Sequence, residues 1–118
     1  MGVVYHANYL AYFEVGRVEA MRQIGADYAS VVQRGLHLVV IEASARYVKP
    51  ARFDDLLQIE TYAADIGTVR FAFDYQVTRE GDGQLIATGR TLHACVDAAR
   101  MRPVRLPAWL ADDLRRLQ

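Results

Sequence analysis

Residues 69–77 read Val-Arg-Phe-Ala-Phe-Asp-Tyr-Gln-Val, and their alternation decides the fold. Val69, Phe71, Phe73, Tyr75 and Val77 fall on one side of an extended chain, and Arg70, Asp74 and Gln76 on the other. Gly81-Asp82-Gly83 follows, three residues that tolerate the positive φ of a hairpin turn. Leu85 to Val96 then reads as the return strand. Upstream, Leu56 to Ala64 reads as another strand, with a turn at Ile66-Gly67. From Leu38 to Lys49 the odd positions Val39, Ile41, Ala43, Ala45 and Tyr47 alternate with Glu42, Ser44 and Arg46, and Pro50 ends the run. The connections are short, so the strands are expected to pair antiparallel.

Ahead of the strands, Asn8 suits an N-cap, Tyr9 to about Ile24 reads as a helix, and Gly25 suits its stop. Apolar residues occupy more than one face of it: Tyr9, Tyr12, Phe13 and Ala20 on one, Leu10, Val18 and Met21 on another. Such a helix is buried on several sides. Gly16 costs helix propensity but lets another element approach. Asp27 to Arg34 reads as a short second helix closed by Gly35. Pro103 and Pro107 bracket an extended tail, and Trp109 to Leu117 reads as an amphipathic helix. The expected class is α+β, an antiparallel sheet wrapped around one long helix, with Ala43 and Ala45 leaving room for it.

The chain has 118 residues, enough for one domain and one core. Fourteen basic residues balance fourteen acidic ones, which argues against nucleic acid as the main partner. Cys95 is the single cysteine, so no internal disulfide forms, and a reducing cytoplasmic setting is expected. No signal peptide is recognised, and no apolar run is long enough to span a bilayer.

The motif Gly2-Val3-Val4-Tyr5-His6-Ala7-Asn8-Tyr9 with Phe13-Glu14 resembles the hot-dog-fold acyl-CoA thioesterases. Within them it is similar to the hydroxybenzoyl-CoA thioesterase group, including the branch associated with the Tol–Pal envelope system. Tyr47, Pro50-Ala51, Asp54-Asp55, Val96-Asp97, Met101-Arg102-Pro103 and Leu106-Pro107 continue the resemblance along nearly the whole chain. It implies a single hot-dog domain over residues 1–118, hydrolysis of acyl-CoA thioesters, and a homodimer or homotetramer with sites between subunits. Coenzyme A would enter as part of the substrate, with no separate cofactor. In the family an aspartate stands three residues before the motif's glycine and acts as nucleophile or base. Here Gly2 follows Met1, so that residue and the family's first strand are expected upstream of this sequence; the alternative is a protein that works without the acid.

Thioester hydrolysis needs an activated nucleophile and stabilisation of the developing oxyanion. A turn that places His6 and backbone N–H groups at the positive end of a helix suits the second need. The resemblance implies that a backbone N–H at or beside His6 polarises the carbonyl. Tyr5, His6 and Asn8 are therefore the candidate substrate contacts. His6 is also a candidate acid–base, because an imidazole titrates near neutrality; the competing reading is a hydrogen bond near the helix start. Glu14 either orients water or takes over from the upstream acid, or it pairs structurally with a neighbour such as Arg17. Arg70, Arg100 and Arg102 are candidates for the phosphates of coenzyme A, with Lys49, Arg52 and Arg105 as further basic residues at turns. Asp54 and Asp55 read as turn formers. Tyr5, Tyr12, Phe13 and Tyr47 read as core aromatics or a pocket lining. His6, His37 and His93 have no metal-ligand spacing, and Cys95 reads as a buried hydrophobe. The rival function is a non-catalytic acyl-CoA-binding or assembly module on the same fold. A hot-dog dehydratase fits less well, because the opening motif belongs to the thioesterase side.

Overall fold

The computed structural model describes residues 8–52 and 54–118. Helix α1 (Asn8–Gln23) and the short α2 (Tyr28–Gln33) precede four long strands: β1 (Leu36–Tyr47), β2 (Leu57–Ala64), β3 (Arg70–Arg79) and β4 (Leu85–Asp97). A short β5 (Arg102–Pro103) and helix α3 (Ala108–Arg115) complete the chain. Pairing is antiparallel throughout, in the order β1-β4-β3-β2, with β5 on the end of β4. No described helix is long and apolar enough to cross a membrane.

The alternation of residues 69–77 is realised as read. Phe71, Phe73, Tyr75 and Val77 are all buried. Ala72 is buried as well, so the outer side of β3 is not wholly solvated. The hairpin turn uses Gly83 at φ +69. Gly25 and Gly35 both sit at φ +80, where a residue with a Cβ would be strained, and they close α1 and α2. Asp27 caps α2, and its carboxylate accepts from Ser30 Oγ at 2.7 Å.

Three expectations need correction. Asn8 is already helical and exposed, not a cap outside the helix. The alternation of β1 does not run unbroken. A bulge at Ile41 lies between the pairs Val40–His93 and Glu42–Leu92, and it reverses which residues face inward. Leu36 and Leu38 pack on the core before it and Ala45 after it, while Ile41 is exposed. Finally, the room for α1 is made by Gly89 and not by Ala43, which is exposed. A Cβ built on Gly89 would overlap the Phe13 ring. Phe13 instead stacks on Tyr75, with centroids 4.6 Å apart and planes at 15°. Gly16 has the role read for it, because a Cβ there would meet Ile59 Cγ2 and Thr61 Oγ1 at 2.7 Å each.

α1 and β4 advance together. Tyr9 lies against Tyr47, whose partner is Ala87; Phe13 lies over Gly89; the far end of α1 reaches the level of His93. The start of α1 and the start of β3 are therefore at opposite ends of the sheet. α3 closes the far end: Leu110 and Leu114 are fully buried, Arg116 Nη1 donates to the Ile24 carbonyl, and Arg34 lies 4.1 Å from the Trp109 ring centroid.

Candidate active site

Tyr5 and His6 lie outside the described residues, and with them the heart of the expected carbonyl site. What the structure describes begins at Asn8, exposed in the first turn of α1. Tyr9 is buried against Tyr12 and Tyr47 at centroid distances of 5.5 and 5.4 Å. Phe13 is wholly buried, so it belongs to the core. Glu14 is exposed, and among the described residues it has no ion-pair or hydrogen-bond partner. The structural pairing with Arg17 is therefore not made. Arg17 turns inward and its Nη1 donates to Tyr75 Oη at 3.2 Å.

That contact opens a buried polar chain which the sequence reading missed. Tyr75 Oη lies 2.6 Å from Thr91 Oγ1, and Thr91 Oγ1 lies 2.7 Å from His93 Nε2. Tyr75, Thr91 and His93 are all buried. Arg17 can only donate. The orientation that uses every hydroxyl hydrogen therefore runs from Arg17 to Tyr75, to Thr91, to His93 Nε2. His93 then carries its proton on Nδ1, and Nδ1 has no partner. Burial holds the His93 imidazole down at about 4, well below 6.5, and the Arg17 charge adds to this. The Leu38 carbonyl acts the other way without closing a proper hydrogen bond. Burial likewise pushes the Tyr75 phenol up, against its hydrogen bonds with Thr91 and Arg17. The signal was present in β4, where Thr91, His93 and Cys95 take alternate inward positions that an apolar core would normally fill.

His93 and Arg17 line a cavity of about 140 Å³ between α1, α2 and the sheet. Val18, Met21, Val31, Leu38 and Phe73 supply its apolar wall, and exposed Glu14 lies on the side nearest the start of α1. Cys95 is fully buried and burial raises its thiol pKa, so it is an inert hydrophobe here. Asp55 accepts from the Arg52 amide at 2.8 Å and from Arg79 Nε at 3.1 Å, so it forms a turn as read. Among the described residues no three His, Cys, Asp or Glu side chains are grouped to hold a metal.

Arg70, Arg100 and Arg102 are all exposed. Arg70 opens β3 opposite Ala94, and Arg102 pairs with Asp97 across a turn in which Asp97 Oδ1 accepts from the amides of Ala99 and Arg100. The three lie at one end of the sheet, and it is the end remote from the start of α1. Within one subunit the structure does not bring them to Asn8 at the start of α1. Lys49 and Arg52 are at the near end.

A long helix laid on an antiparallel sheet, with its opening turn at the sheet's end, defines the hot-dog class of acyl-thioester proteins. The profile of the thioesterase-like superfamily matches residues 1–114, and the chain belongs to that family. It is 29% identical over 114 residues to the acyl-CoA thioester hydrolase YbgC of Escherichia coli O6:H1, covering 97% of this chain and 84% of the relative. The crystal structure of protein TT1821 from Thermus thermophilus superposes with a TM-score of 0.89 at 34% identity, over all of this chain and 88% of the other. The DHNA-CoA thioesterase of Staphylococcus aureus superposes with a TM-score of 0.85 at 28% identity, over 95% and 74%.

Proposed function

We propose that this protein hydrolyses acyl-CoA thioesters. Water adds to the thioester carbonyl, the C–S bond breaks, and the acid and the thiol of coenzyme A leave. The observation that carries the reading is the match to thioesterases along essentially the whole chain, with Tyr5-His6-Ala7 directly before Asn8, the exposed first residue of α1. In this reading the helix start polarises the carbonyl, with Tyr5, His6 and Asn8 around it. Glu14, exposed and without a partner among the described residues, is the carboxylate on α1 that would orient water. No cofactor beyond the substrate's own coenzyme A is invoked.

The active unit is a homo-oligomer. β1 is paired on one side only among the described residues, and Val40 and Ile41 on it are 48% and 41% exposed. A second copy adding its own β1 antiparallel would cover that edge. A two-fold axis through the middle of β1 sets the Tyr47 end of one strand beside the Leu36 end of the other. Leu36 pairs with Asp97, so Arg100 and Arg102 of the partner subunit then approach the start of α1. This supports the arginines as phosphate contacts supplied across the interface, in a cytoplasmic enzyme.

The test is thiol release from a panel of acyl-CoA esters by the 118-residue chain, with His6→Ala and Glu14→Gln beside it. Turnover is expected, with a loss of roughly 10²-fold or more in His6→Ala. Folded protein that binds acyl-CoA without turning it over, both as this chain and with the family's aspartate-bearing segment supplied ahead of Gly2, would establish the binding-module reading instead.

A further inference from the structure

The cavity beside His93 has a polar end that the core does not need. Its volume of about 140 Å³ is close to the roughly 150 Å³ of a dry apolar cavity that accepts a benzene-sized guest. Unlike such a cavity, it is lined by a histidine that is 1% exposed and has an unpartnered ring nitrogen. Leaving a buried donor unmade is costly, because it gives up its hydrogen bond to water and gains none in return. Phe71 and Phe73 hold the ring in place, one stacked at 5.3 Å and the other edge-on at 5.4 Å. The chain from Arg17 through Tyr75 and Thr91 fixes which nitrogen carries the proton. A donor is thus held ready, and Arg17 adds a positive charge beside it. The Leu38 carbonyl lies near the ring without closing a hydrogen bond, so the donor and the charge together suit an oxygen acceptor from outside the fold.

We propose that this chamber receives the far end of a medium-chain acyl group bearing a terminal oxygen, hydroxyl or carboxylate, with His93 Nδ1–H and the Arg17 guanidinium as its donors. This rests on the acyl-CoA reading, which places the thioester at the start of α1. At about 1.5 Å of rise per residue, Glu14 is roughly 9 Å and Arg17 roughly 13 Å along the helix from Asn8. An extended chain advances about 3.4 Å for every three bonds, so roughly eight to eleven bonds span that distance. The acyl group passes Glu14 and Val18 and lies against Met21, Val31, Leu38 and Phe73. His93 is a specificity-determining residue, remote from the reacting carbonyl.

The experiment uses thioethers that cannot be hydrolysed: S-octyl-CoA, S-(8-hydroxyoctyl)-CoA and S-(7-carboxyheptyl)-CoA. Each is titrated calorimetrically into the full 118-residue chain, while hydrolysis of octanoyl-CoA is measured in parallel. One added hydrogen bond predicts roughly five- to tenfold tighter binding of the oxygenated thioethers than of the octyl one. In His93→Phe the hydroxyl preference falls to within about twofold, with octyl binding kept. In Arg17→Met the carboxyl preference falls further than the hydroxyl one, which separates the two oxygen sources. Because His93→Phe alters the core, the ¹⁵N shift of His93 Nδ1 in the unmutated protein is read as well; it is expected to move with the hydroxyoctyl thioether and not with the octyl one. Equal binding of all three thioethers with octanoyl-CoA hydrolysis intact overturns the chamber alone. No binding and no hydrolysis overturns it together with the acyl-CoA reading.

Discussion

His93 is a neutral base kept inside the protein, and its acidity ties stability to pH. Its folded value of about 4 lies below the ordinary 6.5, so the unfolded chain binds its proton more readily than the folded one. The contribution is complete above pH 6.5, falls as the pH drops, and is exhausted below 4. Linkage makes the loss about 2 kcal/mol by pH 5 and ~3 kcal/mol in all. Urea unfolding at pH 7.5 and pH 5 is expected to show it, and His93→Phe is expected to flatten that part of the profile. An unchanged slope in the variant would assign the acid lability to other groups. The residue itself was visible in the sequence only as a histidine without a metal partner. Its function as the end of a hydrogen-bond chain depends on Arg17 and Tyr75, which lie 58 positions apart. No local pattern joins such residues.

The packing of α1 on the sheet rests on matched small and large residues. Gly89 lies beneath Phe13, and its backbone needs no left-handed φ, so the requirement for glycine is purely steric. Gly89→Ala is expected to cost on the order of 1–3 kcal/mol by overpacking. That lowers the melting temperature by roughly 5–10 °C for a domain of this size. Thermal unfolding followed by circular dichroism checks it. The smaller ring-free side chain of Phe13→Leu in the same protein should recover part of the loss, because neighbours in contact are not additive. A double variant as unstable as the sum of the singles would refute the contact. At this scale the sequence was most legible. The period of two in β3 and the glycine stops of α1 and α2 carry their physics locally, and they were found where expected. The bulge at Ile41 was not, because an inserted residue leaves apolar side chains on both sides of the slip and the written alternation runs on through it. The seat of Phe13 was missed for a related reason. Only the register of β3 on β4 places Gly89 opposite Tyr75.

The whole protomer is longer than a globule of its size. Its radius of gyration is 15.3 Å, against about 13.5 Å expected for 118 residues. Its longest dimension is 46 Å, set by strands of 12 and 13 residues. α1, with 16 residues, covers only about 24 Å of that length. Among the described residues one protomer therefore leaves sheet and an edge uncovered, and the proposed second copy along β1 would cover that edge. Light scattering at micromolar concentration is expected to give at least twice the 13.3 kDa of the protomer, and Val40→Lys with Ile41→Lys is expected to break the assembly. Antiparallel joining of the two β1 edges also predicts shared sites, each with the α1 start of one subunit and Arg100 and Arg102 of the partner subunit. Two inactive variants then repair each other. His6→Ala is mixed with Arg100→Glu/Arg102→Glu after reversible dissociation. The mixed dimer holds one site damaged twice and one site damaged nowhere, so statistical mixing restores roughly a quarter of the unmutated activity. Thiol release measured before and after mixing decides it. If both variants exchange subunits, shown by tagged copies, and activity stays at the level of the separate variants, the arginines do not serve a site across the interface.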